Sequence, residues 1–190
     1  MSCGTLTANY TLDCDDQPVG GVDATLYIFN YEEFQSWGLT LDSVNKSQVT
    51  AIVEQSGETG FKVEGVVNSV RPSTELIKDG GRTRYKHLIN FQVGGLDEDA
   101  VDYVRKLDRG SYVCILVLNA QVIYIYGYEA GLETVAQAIQ DLYANSGVFT
   151  LQLASNDETP ETKPPLVYTG ASSPYDFATA KAEIQALISA

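Results

Sequence analysis

Histidine and cysteine are scarce in this chain: one histidine and three cysteines in 190 residues. A Ser-His-Asp or Cys-His centre would have to use His87, and nothing near it in sequence suggests an activated nucleophile. Its place in an alternating run instead makes it a sheet-face residue with a structural role. Cys3, Cys14 and Cys114 are too few for a disulfide scaffold, and no cysteine–histidine cluster has zinc-ligand spacing. Cys114 lies inside an apolar run and is expected to pack as a small hydrophobe. Cys3 and Cys14 could pair locally, but with no export signal the default is a reducing cytosol and free thiols. The start, MSCGTLTANY, has no basic segment followed by a hydrophobic block, so no signal peptide is expected. No apolar run approaches the roughly 20 residues that span a bilayer, so no membrane is expected as a partner. GxGxxG and P-loop patterns are both missing, and Asp79-Gly80-Gly81 reads as a turn rather than a phosphate cradle. Asp13-Cys14-Asp15-Asp16 lacks the alternating ligands, central glycine and closing glutamate of a calcium loop. The carboxylates sit in a helix start and in polar linkers, as solvated faces do. The expectation is therefore a protein that is not an enzyme, with no catalytic residue, metal site or cofactor.

Cations are also scarce, with 12 Lys and Arg against 25 Asp and Glu, for a net charge of -13. Such a chain is a poor candidate for gripping nucleic acid, where affinity comes from cations neutralising phosphates. The acidity serves solubility, or a surface that must avoid sticking to nucleic acid. Against this background Arg71, Lys78, Arg82, Arg84 and Lys86 put five of the 12 basic residues within a short span. They form either a solvated loop or a positive patch that meets an acidic patch on another copy of the chain. The second reading follows because a head-to-tail interface needs unlike surfaces.

What the sequence does hold is apolar: 44% hydrophobic residues, enough for one folded domain with a real core. The organising stretch is Ser111–Tyr128, two β-branched and aromatic runs separated by Asn119-Ala120-Gln121, which predicts a β-hairpin. It is apolar on both faces and must be covered on both. Strands are also expected at Val22–Phe29, Gln48–Gln55, Gly60–Ser69, Tyr85–Val93 and Val148–Ala154. Residues 1–21 read as an arm. Asn30–Lys46 reads as irregular, with a turn around Tyr31–Trp37 and Trp37 as a packing residue. The polar excursion Val70–Arg84 reads as a protruding loop or extended hairpin tip. A helix is expected over Leu96–Leu107, closed by Arg105, Lys106 and Arg109, with Ala100, Val101, Val104 and Leu107 as its stripe. Gly131–Asn145 has Leu132, Val135, Ile139 and Leu142 at helical spacing. Residues 156–173 form a Pro-rich acidic linker after the core domain, 22–155. A C-terminal helix enters through Ser173 and Pro174 and carries Phe177, Ala180, Ile184, Leu187 and Ile188 on one face. It either tucks back on the core or docks on a neighbour as an arm, and the arm is preferred.

Several stretches together carry a resemblance. They are Cys3-Gly4 with Cys14 and Gly20-Gly21, the strand Asn90-Phe91-Gln92-Val93, the helix, and the hairpin ending Tyr126-Gly127-Tyr128-Glu129-Ala130-Gly131. Leu151-Gln152-Leu153 leading to Pro164-Pro165 completes them. In this order they resemble the tail tube and related tail structural proteins of bacteriophages, particularly phages of Bacteroidetes-type hosts. The resemblance covers roughly residues 1–168 and implies an α+β, β-dominated, tail-tube-like β-sandwich or barrel. One packed amphipathic helix belongs to this fold, and the C-terminal helix, beyond the resemblance, is a helical extension added to it. It also implies a virion protein whose partner is itself, in stacked, commonly hexameric rings whose joined strands line a channel. A long loop, here Val70–Arg84, reaches the next ring. DNA passes without specific binding, and other tail or neck proteins are further partners. Arg71, Lys78, Arg82, Arg84 and Lys86, with Tyr124 and Tyr126 of the hairpin and Phe177, Ile184 and Leu187 of the last helix, are the candidate inter-subunit contacts. Another tail, neck or tail-completion protein, or an adhesion module, is the alternative.

Overall fold

The computed structural model describes residues 24–55, 58–63, 69–79, 81–94, 98–118, 121–135, 139–140, 148–171 and 174–188. The expected arm, with Cys3 and Cys14, lies outside them. Within them the chain is β-dominated, with a large mixed sheet and three helices. Its centre is β7 (Ser111–Leu118), in the expected hairpin with β8 (Val122–Tyr126). β1 (Ala24–Asn30) pairs antiparallel with β7 along its whole length, from Ala24↔Leu118 to Asn30↔Tyr112. β8 pairs on the other edge, from Cys114↔Tyr126 to Leu118↔Val122.

Alternation on these strands divides the interior in two. Leu26, Ile28, Cys114 and Leu116 face one core with Ile89, Phe91 and Val93 of β6 (Arg82–Val93) and Leu151 and Leu153 of β11 (Phe149–Ala154). Tyr103, Val104 and Leu107 of α2 (Glu98–Leu107) join the same core. Tyr27, Phe29, Val113, Ile115 and Val117 face the second core, shared with Ile123 and Ile125. That core is closed by Phe34 of α1 (Tyr31–Ser36), by Trp37, and by Ile184 and Leu187 at α3 (Phe177–Ala186). Each fully buried side chain of this size contributes about 1.5–3 kcal/mol. The hairpin's need for cover on both faces is met inside one chain.

The structure corrects several expectations. Tyr31–Ser36 is a helix capped by Trp37 and followed by β2 (Gly38–Leu41), not an irregular turn. Phe29, Phe34 and Trp37 stack with centroids 5.3–5.5 Å apart and draw the segment into the second core. Trp37 is a packing residue, as expected. Of the two readings of Val70–Arg84 the extended hairpin holds and the loop does not: it forms β5 (Arg71–Asp79) and the start of β6. On α2 the buried stripe is Ala100, Tyr103, Val104 and Leu107, while Val101 is half exposed. Leu96 and Asp97 lie outside the described residues. The helical spacing after Gly131 is misleading. Leu132–Thr134 is β9 and Ile139–Gln140 is β10, because Leu132 is pinned opposite Tyr112 while β9 and β10 both pair with β11. The Leu142 part lies outside the described residues. Likewise 64–68, in the expected strand after Gly60, lie outside; the described part is β4 (Phe61–Val63), on β1.

The 156–173 stretch is not all linker. Leu166–Tyr168 is β12, parallel to β3 (Gln48–Val53) and antiparallel to β8, with Leu166 and Tyr168 buried. Its three prolines fall outside the ladder, as the missing N–H requires. α3 begins at Phe177 rather than Pro174, because the Asp176 carboxylate accepts the Ala178 and Thr179 N–H groups. Its apolar face docks in cis: Ala180, Ile184 and Leu187 are buried in the second core, and the Gly60 N–H donates to the Leu187 carbonyl at 2.8 Å. No helix among the described residues is long and apolar enough to cross a membrane.

Cis docking makes α3 part of the subunit's own stability. Ile184→Ala should lower the unfolding free energy of the monomer by about 2–5 kcal/mol in urea titration at low protein concentration. An unchanged midpoint would mean that the helix packs elsewhere.

Candidate assembly surface

The five clustered cations lie on the β5–β6 ribbon, whose register fixes which of them share a face. Arg71 is opposite Asn90, Thr74 opposite His87, Glu75 opposite Lys86, and Ile77 opposite Arg84. Side chains alternate along each strand, so Arg71, Arg82, Arg84 and Lys86 share one face with Glu75. Lys78 lies on the other, with Thr74, Tyr85 and His87. β5 closes one end of the strand order, and its only partner among the described residues is β6. Arg71, Lys78 and Arg82 are exposed and Arg84 half-buried. Lys86 pairs with Asp157. Arg71, Lys78, Arg82 and Arg84 make no ion pair among the described residues.

The base of the ribbon is held by a buried polar clasp. The Gly127 N–H donates to His87 Nδ1 at 3.1 Å, so Nε2 carries the proton and donates to the Lys163 carbonyl at 3.2 Å. The ring packs edge-on against Tyr126, with centroids 5.3 Å apart. Burial holds the His87 pKa down at about 4, against the upward pull of the Lys163 carbonyl and of Glu129. Gly127 adopts φ 73, and a Cβ there would crowd Leu132 and lie 2.9 Å from the Tyr112 carbonyl. This turn therefore requires glycine.

Beside it, Glu161 is 1% exposed, and its carboxylate accepts the Glu129 and Ala130 N–H groups at 2.9 and 3.0 Å. Burial raises its pKa, with those two bonds acting in the opposite direction. Glu129 reciprocates by accepting the Thr162 N–H at 2.7 Å, with Lys163 Nζ 3.5 Å away. The Tyr85 N–H donates to the Glu161 carbonyl at 2.8 Å, so the clasp also grips β6. Nothing local in the sequence marks Glu161, which stands in a stretch with linker composition. The one available signal was the lone His87 on an otherwise apolar strand face.

The remaining candidates divide. Tyr126 is buried against His87, and burial, with Tyr124 next, pushes its pKa up to about 12. Tyr124 is half-buried on the same core, whereas Tyr128, beyond the bend at Gly127, packs on the second. The three tyrosines thus do not form one face awaiting a neighbour. Phe177 is half-buried, and Ile184 and Leu187 are covered within the chain. What the structure brings together at the surface is the ribbon, with Tyr124 as a partly open neighbour. Among the described residues no group of three His, Cys, Asp or Glu side chains is placed to hold a metal. No family model, curated protein or solved structure matches the chain.

The clasp gives stability a definite pH dependence. With the folded pKa of His87 depressed from 6.5 to about 4, its contribution is complete above pH 6.5 and is lost as pH falls through about 4. The unfolding free energy should fall by about 3 kcal/mol more across that window in the wild type than in His87→Gln. Denaturant titrations at pH 7 and pH 4 check this, and equal losses in the two proteins would contradict it.

Proposed function

We propose that this chain is a structural subunit of a phage tail, built on a tail-tube-like β-sandwich or barrel. It self-assembles into stacked rings around a channel through which DNA passes. The observation that carries the proposal is the β5–β6 ribbon, which is largely exposed and has four cations on one face of a chain with net charge -13. Unlike surfaces on one subunit support directional, head-to-tail association, which closes into rings or stacks along an axis. The strand order supports the same reading. Among the described residues β2 stands at one end and β5 at the other, so both ends offer main-chain groups for continuing a sheet into a neighbour. The acidity suits a lumen that repels phosphate and lets DNA move without being held. Other tail or neck proteins would terminate such a stack. The cis-docked α3 and the double core make each subunit a stable block before assembly, so that assembly uses exposed strands and charge.

Negative-stain microscopy of the full chain, with sedimentation velocity over a concentration series, tests the proposal. Rings or tubes with a central channel are expected. A strictly monomeric protein at high concentration would overturn it.

A further inference from the structure

The cationic face of the ribbon needs a complementary surface, and the fold offers one that is predominantly acidic. Between Ala24 and Gly60 the chain carries Glu32, Glu33, Asp42, Glu54 and Glu58 against a single cation, Lys46. Four of these carboxylates lie on two segments that are tied together, α1 and the stretch after β3. Glu32 and Glu33 open α1, Glu54 follows β3, and Glu58 accepts bonds from Ser36 Oγ at 2.9 Å and Trp37 Nε1 at 2.8 Å. Gln55 Nε2 donates to the Ser36 carbonyl at 2.9 Å and joins the end of β3 to the end of α1. Glu32 and Glu54 are exposed, and Val53, the last residue of β3, is 61% exposed.

Two other carboxylates on the surface are paired with cations of the chain. On α2, Asp102 pairs with Arg105 at 2.6 Å and Lys106 at 2.9 Å. Asp157 is engaged by Lys86. At the α1–β3 corner no carboxylate is in an ion pair among the described residues. The corner flanks β2 and β3 at one end of the strand order, and the ribbon forms the other end. A patch on one end that fits the opposite end of an identical molecule is the requirement for a heterologous contact.

We infer that the cationic face of β5–β6, through its arginines Arg71, Arg82 and Arg84, docks on the acidic α1–β3 corner (Glu32, Glu33, Glu54 and Glu58) of a second copy of this chain. The inference rests on the self-assembly reading above and names the two surfaces that meet. Opposed charges orient the encounter, while contacts between like ends are repelled.

Complementary charge reversal tests it. One variant carries Arg82→Glu with Arg84→Glu, and the other carries Glu32→Lys with Glu54→Lys. These positions are exposed or half-buried, and circular dichroism with thermal melts checks that both variants fold. Each alone should raise the concentration needed for assembly at least about ten-fold, equivalent to about 1.4 kcal/mol per contact. An equimolar mixture should recover assembly, because every ribbon then faces a corner of opposite sign. Wild-type assembly left unchanged by the Glu32/Glu54 reversal, or a mixture that fails to recover, overturns this contact while leaving self-assembly standing. A wild type that never associates overturns both.

Discussion

β7 is buried on both faces, and this constraint governs the rest of the molecule. A strand with Tyr112, Cys114 and Leu116 on one side and Val113, Ile115 and Val117 on the other, all at most 3% exposed, cannot sit at a surface. It forces two separate apolar layers. β6, β11 and α2 supply one, and α1, β12 and α3 supply the other. The C-terminal helix is thereby bound to the fold, since without Ile184 and Leu187 the second layer would open to water. The segments that complete the cover come from both ends of the described chain, so the hairpin is the point where distant parts of the sequence are tied together.

Much of this was legible in the residues. The hairpin, the strand at Gln48, the last long strand and α2 all announce themselves by period and by charge at their ends, and each is present. Where reading failed, tertiary pairing had overridden a local pattern. Leu132, Val135 and Ile139 keep helical spacing, yet Leu132 is held opposite Tyr112, and Val135 is half exposed. Leu166-Val167-Tyr168 is too short to signal a strand, and it becomes one because an open slot between β3 and β8 receives it. Tyr31–Ser36 is a helix of six residues, held by Phe34 in the core rather than by propensity. The basic cluster was visible as composition. That four of its members share one face was not, because the pairing register that decides it is fixed by contacts with β11 and the clasp.

That clasp links the core to the ribbon. Glu161 and His87 are buried polar groups, and each has its hydrogen-bonding capacity used by main-chain partners from a different segment. Satisfied in this way, they fix geometry in a manner that apolar contacts do not. The base of β6 is therefore rigid, while the strand beyond Tyr85 projects into solvent. A stiff, charged ribbon on a doubly packed body presents its cations at a defined place, with less entropy to lose on contact than a free loop would have.

Amide hydrogen exchange, measured on the same protein at dilute and at assembling concentrations, tests this account most directly. β7 amides should be strongly protected at both concentrations, and the β5 amides that do not bond to β6 should gain protection only on assembly. β7 protection that appears only on assembly would contradict the claim that one chain covers both of its faces. A ribbon that stays equally exchangeable in the assembled state would contradict its role as the joint.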